Sequence, residues 1–250
     1  MTQRNILIAG LDDTVDNPEV ISSPDVCGFI SQGGGHAWHS LDPDDVAKAD
    51  GVLVPGGVPD VSPSYWGEED TGCNVIDKEL DKKQMAMIDM AVKLHKPLLG
   101  ICRGHQLISV YFGASLIQHI SCSKYHVYDP ENPHFHNTFN VPGSILYDAY
   151  GPVVHCNSIH HQAIKKLPNC LRAIQLWCKG DKDIRPYLKQ AEQGTLLEGS
   201  HECIIEAVTH NSYPFLGVQW HPEWGGIFAC KEDDNAVVRN AFFHMIENTI

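Results

Sequence analysis

The chain has 250 residues, 43% of them hydrophobic and 20% charged, the make-up of an ordinary globular protein able to bury a sizeable core. Its 31 acidic against 18 basic side chains give a net charge of −13, which argues against a nucleic-acid partner held by clustered Lys and Arg. No run of 18 apolar residues or signal-peptide pattern occurs, so neither a membrane span nor a secretory leader is expected. Nine cysteines without a C-x-x-C pair indicate free thiols in a reducing, cytoplasmic setting.

Short apolar runs punctuated by glycine come first. Asn5–Ala9 (NILIA), Gly51–Val54 (GVLV) and residues 97–101 (PLLGI) read as buried strands of a parallel sheet. Between the last two, residues 77–95 predict a helix with Leu80, Met87, Ile88 and Ala91 on one face. Asp77 is its start, and Lys93, His95 and Lys96 form its basic end. A second helix is expected from Arg103 to Phe112, stopping at Gly113. Strand signals follow at 117–120, 138–141, 173–177, 204–209 and 215–219, with 128–137 and 179–199 as loop or insertion segments. The alternation predicts an α/β fold: one domain over residues 1–250, with a mostly parallel central sheet and helices on both faces.

Residues 97–106 (PLLGICRGHQ) place Cys102 between Gly100 and Gly104 at the junction of predicted strand and helix. A cysteine used only for packing needs no such flanks. The pattern is the thiol counterpart of the G-x-S-x-G nucleophile elbow, whose glycines let strand and helix approach around a sharp turn. Such a turn puts Sγ at the carboxyl edge of the sheet, beside a helix N-terminus that favours the thiolate. Nine cysteines among 21 glycines would meet these flanks by chance in roughly 6% of chains, so it is the junction that gives the motif weight.

A thiol nucleophile needs a base, and the base an orienting group. His221 and Glu223, in FLGVQWHPEW, follow the strand predicted at 215–219, with Pro222 fixing the backbone between them. The Gly56-Gly57 turn in GVLVPGGVPDV can aim a backbone N–H at an oxyanion, with the Arg103 N–H as second donor.

Pro55-Gly56-Gly57, the run from Gly100 to Gln106, and His221-Pro222-Glu223 resemble the three signatures of class I glutamine amidotransferase domains, in order and spacing. PGGVPDVSPSYWGE, CNSIHHQAI and IIEAVTHNSYPFLGVQWHPEW resemble, within that group, the γ-glutamyl-γ-aminobutyrate hydrolases. The resemblance implies the flavodoxin-like topology of that superfamily and cleavage of a small γ-glutamyl amide by water, without cofactor or metal. Cys102 would attack the γ-carbonyl, His221 would accept and return the proton, and Glu223 would orient His221. Gly57 and Arg103 would form the oxyanion hole, and Gly56, Gln106, His161 and Gln162 would bind the glutamyl end. Read without the resemblance, His160-His161 are loop histidines or a metal site with His155.

Two departures stand out. The helix at 77–95 begins DKELDKKQ where these hydrolases usually carry an Arg-Asp pair and a Glu, and residues 121–137 match nothing familiar. A glutaminase subunit feeding ammonia to a separate synthetase is the alternative enzyme, and a catalytically silent binding module the alternative outside enzymes. The amine leaving group and the oligomeric state, a homo-oligomer included, are not written in the sequence.

Overall fold

The computed structural model describes residues 3–10, 24–126, 135–180, 182–224 and 236–249. Its first half alternates strand and helix: β1 (Asn5–Ala9), α1 (Pro24–Gln32), β2 (His36–Ser40), β3 (Gly51–Val54), α2 (Lys78–Lys93), β4 (Leu98–Ile101) and α3 (Arg103–Tyr111). The second half is richer in strands: β5 (Ser115–Ile117), β6 (Phe135–Asn140), α4 (Ile145–Tyr150), β7 (Val153–Asn157), β8 (Ala163–Lys166), β9 (Leu171–Cys178), α5 (Arg185–Glu192), β10 (Cys203–His210), β11 (Phe215–Val218) and α6 (Ala236–Glu247).

Nine strands form one sheet in the order β2-β1-β3-β4-β11-β10-β9-β6-β7. The first five run parallel, in the 2-1-3-4-5 order of flavodoxin-like sheets. From β11 onward the pairing is antiparallel. The inner parallel strands β1, β3, β4 and β11 are largely apolar because helices cover both faces. Leu7, Val52, Val54 and Leu98 pack with Met87 and Ile88 of α2 and Leu107 and Ile108 of α3. Ile6, Ile8, Leu53, Leu99 and Ile101 face the other way, toward Phe29 of α1 and Phe242 of α6. Strand alternation thus divides the core into two layers.

The expected helix start holds: the Asp77 carboxylate accepts from the N–H groups of Glu79 and Leu80 at 3.1 and 2.9 Å. Gly113, at φ 104°, ends α3 as expected. On α2, Met87, Ile88 and Ala91 are buried, but Leu80 is only half-buried, and the remaining buried positions are Asp81 and Gln84. The strand expected at 117–120 is corrected. β5 ends at Ile117 and pairs with β8 in a separate two-stranded sheet, while the Ile120 N–H bonds to the His161 carbonyl at 2.8 Å. Residues 179–199, expected as loop, contain α5. Of the segment 128–137, residues 135–137 belong to β6, and the rest lies outside the described residues.

A bulge interrupts the β9–β10 ladder. Ile205 pairs with Leu176 and Ala207 with Gln175, so Glu206 has no partner opposite it. Bulges of this kind re-aim a side chain.

Candidate active site

The elbow forms as the glycines require. Cys102 sits at φ 50°, ψ −109°, a strained conformation held by its N–H bonding to the Val218 carbonyl of β11 at 2.8 Å. A Cβ on Gly100 would lie 2.7 Å from the His105 nitrogen, and one on Gly104 would lie 1.9 Å from the Val54 carbonyl oxygen. The second clash is with backbone, so no rotamer relieves it. Gly104→Ala should therefore destabilise the protein by about 3 kcal/mol or more, a fall in Tm of roughly 6–12 °C for a chain of this size. A thermal melt within 2 °C of wild type, on the order of 1 kcal/mol or less, would show that strand and helix are not locked together here.

The Cys102 thiol is 7% exposed, at the first turn of α3. Gln219 Nε2 lies 3.6 Å from Sγ, and Sγ lies 3.8 Å from the Ile159 carbonyl. His221 and Glu223 leave the end of β11, the strand hydrogen-bonded to β4. His221 Nδ1 is 2.7 Å from Glu223 Oε1, which commits that nitrogen to the carboxylate and leaves Nε2 for the thiol. Asn157 holds the His221 backbone from both sides, accepting from its N–H and donating to its carbonyl, each at 2.8 Å. Trp224 stacks on the imidazole at 4.1 Å and 14°. Burial alone would push the His221 pKa down, but the charges of Glu223 and Cys102 outweigh it and raise the value to about 10.

The Gly56-Gly57 turn abuts this pair. A Cβ on Gly56 would meet His221 Cε1 at 2.9 Å and Cys102 Cβ at 3.4 Å. Gly57 lies against the Arg103 side chain. Arg103 opens α3, where backbone N–H groups have no acceptor within the helix. Its guanidinium turns into the protein and binds Asp81 and Gln84 of α2, both buried. Asp81 in turn accepts from the Ser62 N–H at 3.0 Å, and Gln84 donates to the Ala9 carbonyl at 2.6 Å. The unfamiliar DKELDKKQ segment thus supplies the anchor of the turn after Cys102. An ion pair this deep is costly to break from one side.

A cavity of about 350 Å³ opens on the thiol and is lined by Gly57, Asp60, Gln106, His161, Gln162 and Trp224, among others. Gln106 is not free to reach far into it. Its Nε2 donates to the Gln162 carbonyl at 3.0 Å and to Gln219 Oε1 at 2.9 Å. Gln162 donates to Cys73 Sγ at 3.3 Å, while its Oε1 is buried without a hydrogen bond among the described residues. His161 Nε2 lies 2.8 Å from Asp60 Oδ1 and 3.0 Å from Asn74 Nδ2. A larger recess of about 510 Å³ lies between Val141, Arg172, His210 and Met245, but Cys102, His221 and Glu223 do not line it.

Cys102, His221, Glu223, Gly56, Gly57, Arg103, Gln106, His161 and Gln162 therefore share one site. Sequence reading missed Gln219, Asn157, Asp60 and the Asp81–Gln84 anchor. Gln219 carried a readable signal: two positions before His221 at a strand end, it shares that residue's side. The set His155, His160 and His161 is not brought together. His155 bonds Asn137 and stacks on Phe135, His161 pairs with Asp60, and His160 turns toward Glu206. Among the described residues, the grouping of metal-ligand type is instead His126, His160 and Glu206.

A fission-yeast protein (Schizosaccharomyces pombe PB2B2.05), provisionally named a glutamine amidotransferase, is 32% identical over 215 residues, 81% of this chain and 74% of its own. The γ-glutamyl-γ-aminobutyrate hydrolase PuuD of Escherichia coli K12 is 31% identical over 186 residues, 71% of this chain and 65% of its own. A crystal structure from Thermoplasma acidophilum, provisionally described as one of the subunits of GMP synthase, superposes with a TM-score of 0.65 at 15% identity, covering 99% of this chain and 96% of that one. The family model of peptidase C26 spans residues 42–223, from ahead of β3 through Glu223, and the chain belongs to that family, with a class I glutamine amidotransferase-like fold.

Proposed function

We propose that the protein hydrolyses γ-glutamyl amides through a thioester on Cys102. One observation carries the reading: a thiol on a strained elbow, with a His221–Glu223 pair at 2.7 Å leaving the neighbouring strand. The Cys102 thiolate adds to the γ-carbonyl carbon, and the oxyanion is received by the Gly57 and Arg103 N–H groups. The carbon–nitrogen bond breaks as protonated His221 gives its proton to the leaving amine. His221 then takes a proton from water, which attacks the thioester, and the thiolate leaves as glutamate is released. The known activity named for PuuD supports the γ-glutamyl end of this reading.

The test is a panel of γ-glutamyl amides, free glutamine included, given to the isolated protein without ATP. Release of glutamate and free amine is expected from at least one secondary amide. The glutamyl end should be strictly recognised, because leaving its polar groups unpaired in a pocket is penalised heavily. A second reading, ammonia supply to a separate synthetase, is favoured by the glutamine amidotransferase name of the yeast relative. Glutaminase activity alone, rising on addition of a synthetase, would replace the first reading with the second.

A further inference from the structure

The bulge that sets Glu206 apart has a chemical result. Its carboxylate is 1% exposed, and neither oxygen has a hydrogen-bond partner among the described residues. Three buried imidazoles converge on it from three other segments. His136 Nε2 lies 3.5 Å, His160 Nε2 3.7 Å and His126 Nδ1 3.9 Å from Glu206 Oε1. These separations are too long for hydrogen bonds. A buried carboxylate left in that state is strongly penalised.

The same separations suit ligands around one small ion. With metal–nitrogen and metal–oxygen bonds of about 2.0–2.1 Å, neighbouring ligands on a tetrahedral ion stand about 3.3 Å apart. The candidate donor atoms of His126, His160 and Glu206 all lie within 4.8 Å of one another. His160 also shows the support typical of a ligand: its Nδ1 is 2.9 Å from the Gln162 carbonyl, which fixes the tautomer with the Nε2 lone pair toward Glu206. The Trp177 ring covers the cluster, 4.6 Å from His126 and 5.8 Å from His136 between centroids.

We propose that His126, His160 and Glu206 bind one first-row divalent ion of the zinc class. Imidazoles with a single carboxylate select such an ion over calcium or magnesium, which require mostly oxygen donors. The site is structural. Of the three residues only His160 also lines the cavity beside Cys102. The ion ties together two walls of that cavity. His160 follows Ile159, whose carbonyl faces Sγ, and the Glu206 carbonyl accepts from the Gln219 N–H at 2.7 Å.

The full chain, purified without chelator and then stripped, should bind one equivalent of zinc or cobalt(II) and melt at a higher temperature when loaded. The cobalt form should show visible d–d absorption without a sulfur-to-cobalt charge-transfer band, which separates this site from the cysteines. Glu206→Gln should weaken the metal by at least the ~10–100-fold that loss of an outer partner causes. A stripped wild-type protein that takes up neither metal would mean an imidazole–carboxylate cluster and end the proposal, as would wild-type affinity in Glu206→Gln. Should that variant fail to fold, X-ray absorption of the wild-type zinc form decides. Only nitrogen and oxygen neighbours at about 2.0–2.1 Å are expected, and a sulfur shell near 2.3 Å would overturn the site.

Discussion

Cys102→Ser should leave the protein folded and lower kcat by about 10⁴-fold or more, the scale of losing a nucleophile that works with its base as a unit. The substitution exchanges sulfur for the smaller oxygen at a position whose strain is backbone strain, φ 50°. The Val218 carbonyl still accepts the residue 102 N–H, so the turn keeps its support. What is lost is acidity. A serine hydroxyl does not ionise against His221, and the helix N-terminus that assists a thiolate has no anion to stabilise. Purified Cys102→Ser protein with an unchanged melt and more than a tenth of wild-type kcat would remove Cys102 from the chemistry. Iodoacetamide labelling followed by mass spectrometry gives a second check, because Cys102 stands beside the His221–Glu223 pair and should react fastest.

Glu223→Gln should lower kcat by about 10²–10⁴-fold while KM stays within a few-fold, since orientation and not substrate contact is removed. A glutamine offers His221 Nδ1 either an oxygen of no charge or an N–H, which inverts the tautomer. The pH profile should change in a definite direction. Burial opposes the imidazolium, while Glu223 and Cys102 hold it so firmly that His221 loses its proton only near pH 10. A raised value means the protonated form persists below it and is lost above it. The wild-type plateau of kcat/KM should therefore extend on the alkaline side toward pH 10, with the limb belonging to the Cys102–His221 pair as a whole. In Glu223→Gln that limb should move to lower pH, because the carboxylate holding the proton is gone. An unmoved limb together with normal kcat would take Glu223 out of the triad.

The parts of the site that could be read from the sequence are those made within a few residues. The elbow is a five-residue pattern, His221 and Glu223 are two apart, and Gly56-Gly57 closes an apolar strand. The inner parallel strands were legible for a related reason, since burial on both faces leaves nearly unbroken apolar runs. Polar or short elements escaped. β2 reads HAWHS because it is a half-buried edge strand, and α5 is a largely polar surface helix of eight residues. Asp81 and Gln84 lie on the face of α2 that sequence reading reserves for apolar side chains. Only the fold shows that a guanidinium 19 and 22 positions away meets them there. The Glu206 cluster was beyond reach for the same reason at larger scale. Its members come from four segments, and its carboxylate is turned inward by a bulge that no local pattern announces.

On the proposed chemistry, nucleophile and base leave strands that are hydrogen-bonded neighbours, β4 beside β11. Their separation is consequently a property of the sheet, fixed by the ladder spacing of roughly 4.8 Å and not by any loop. Much of the cavity mouth, by contrast, is built from the connection between β3 and α2 and from residues around His119 and Ser123. Reactivity and choice of substrate therefore rest on different pieces of chain. Within this architecture the lining segments can be exchanged, lengthened or repolarised while Cys102 and His221 stay in register, which makes the scaffold permissive to changes of whatever compound the cavity takes.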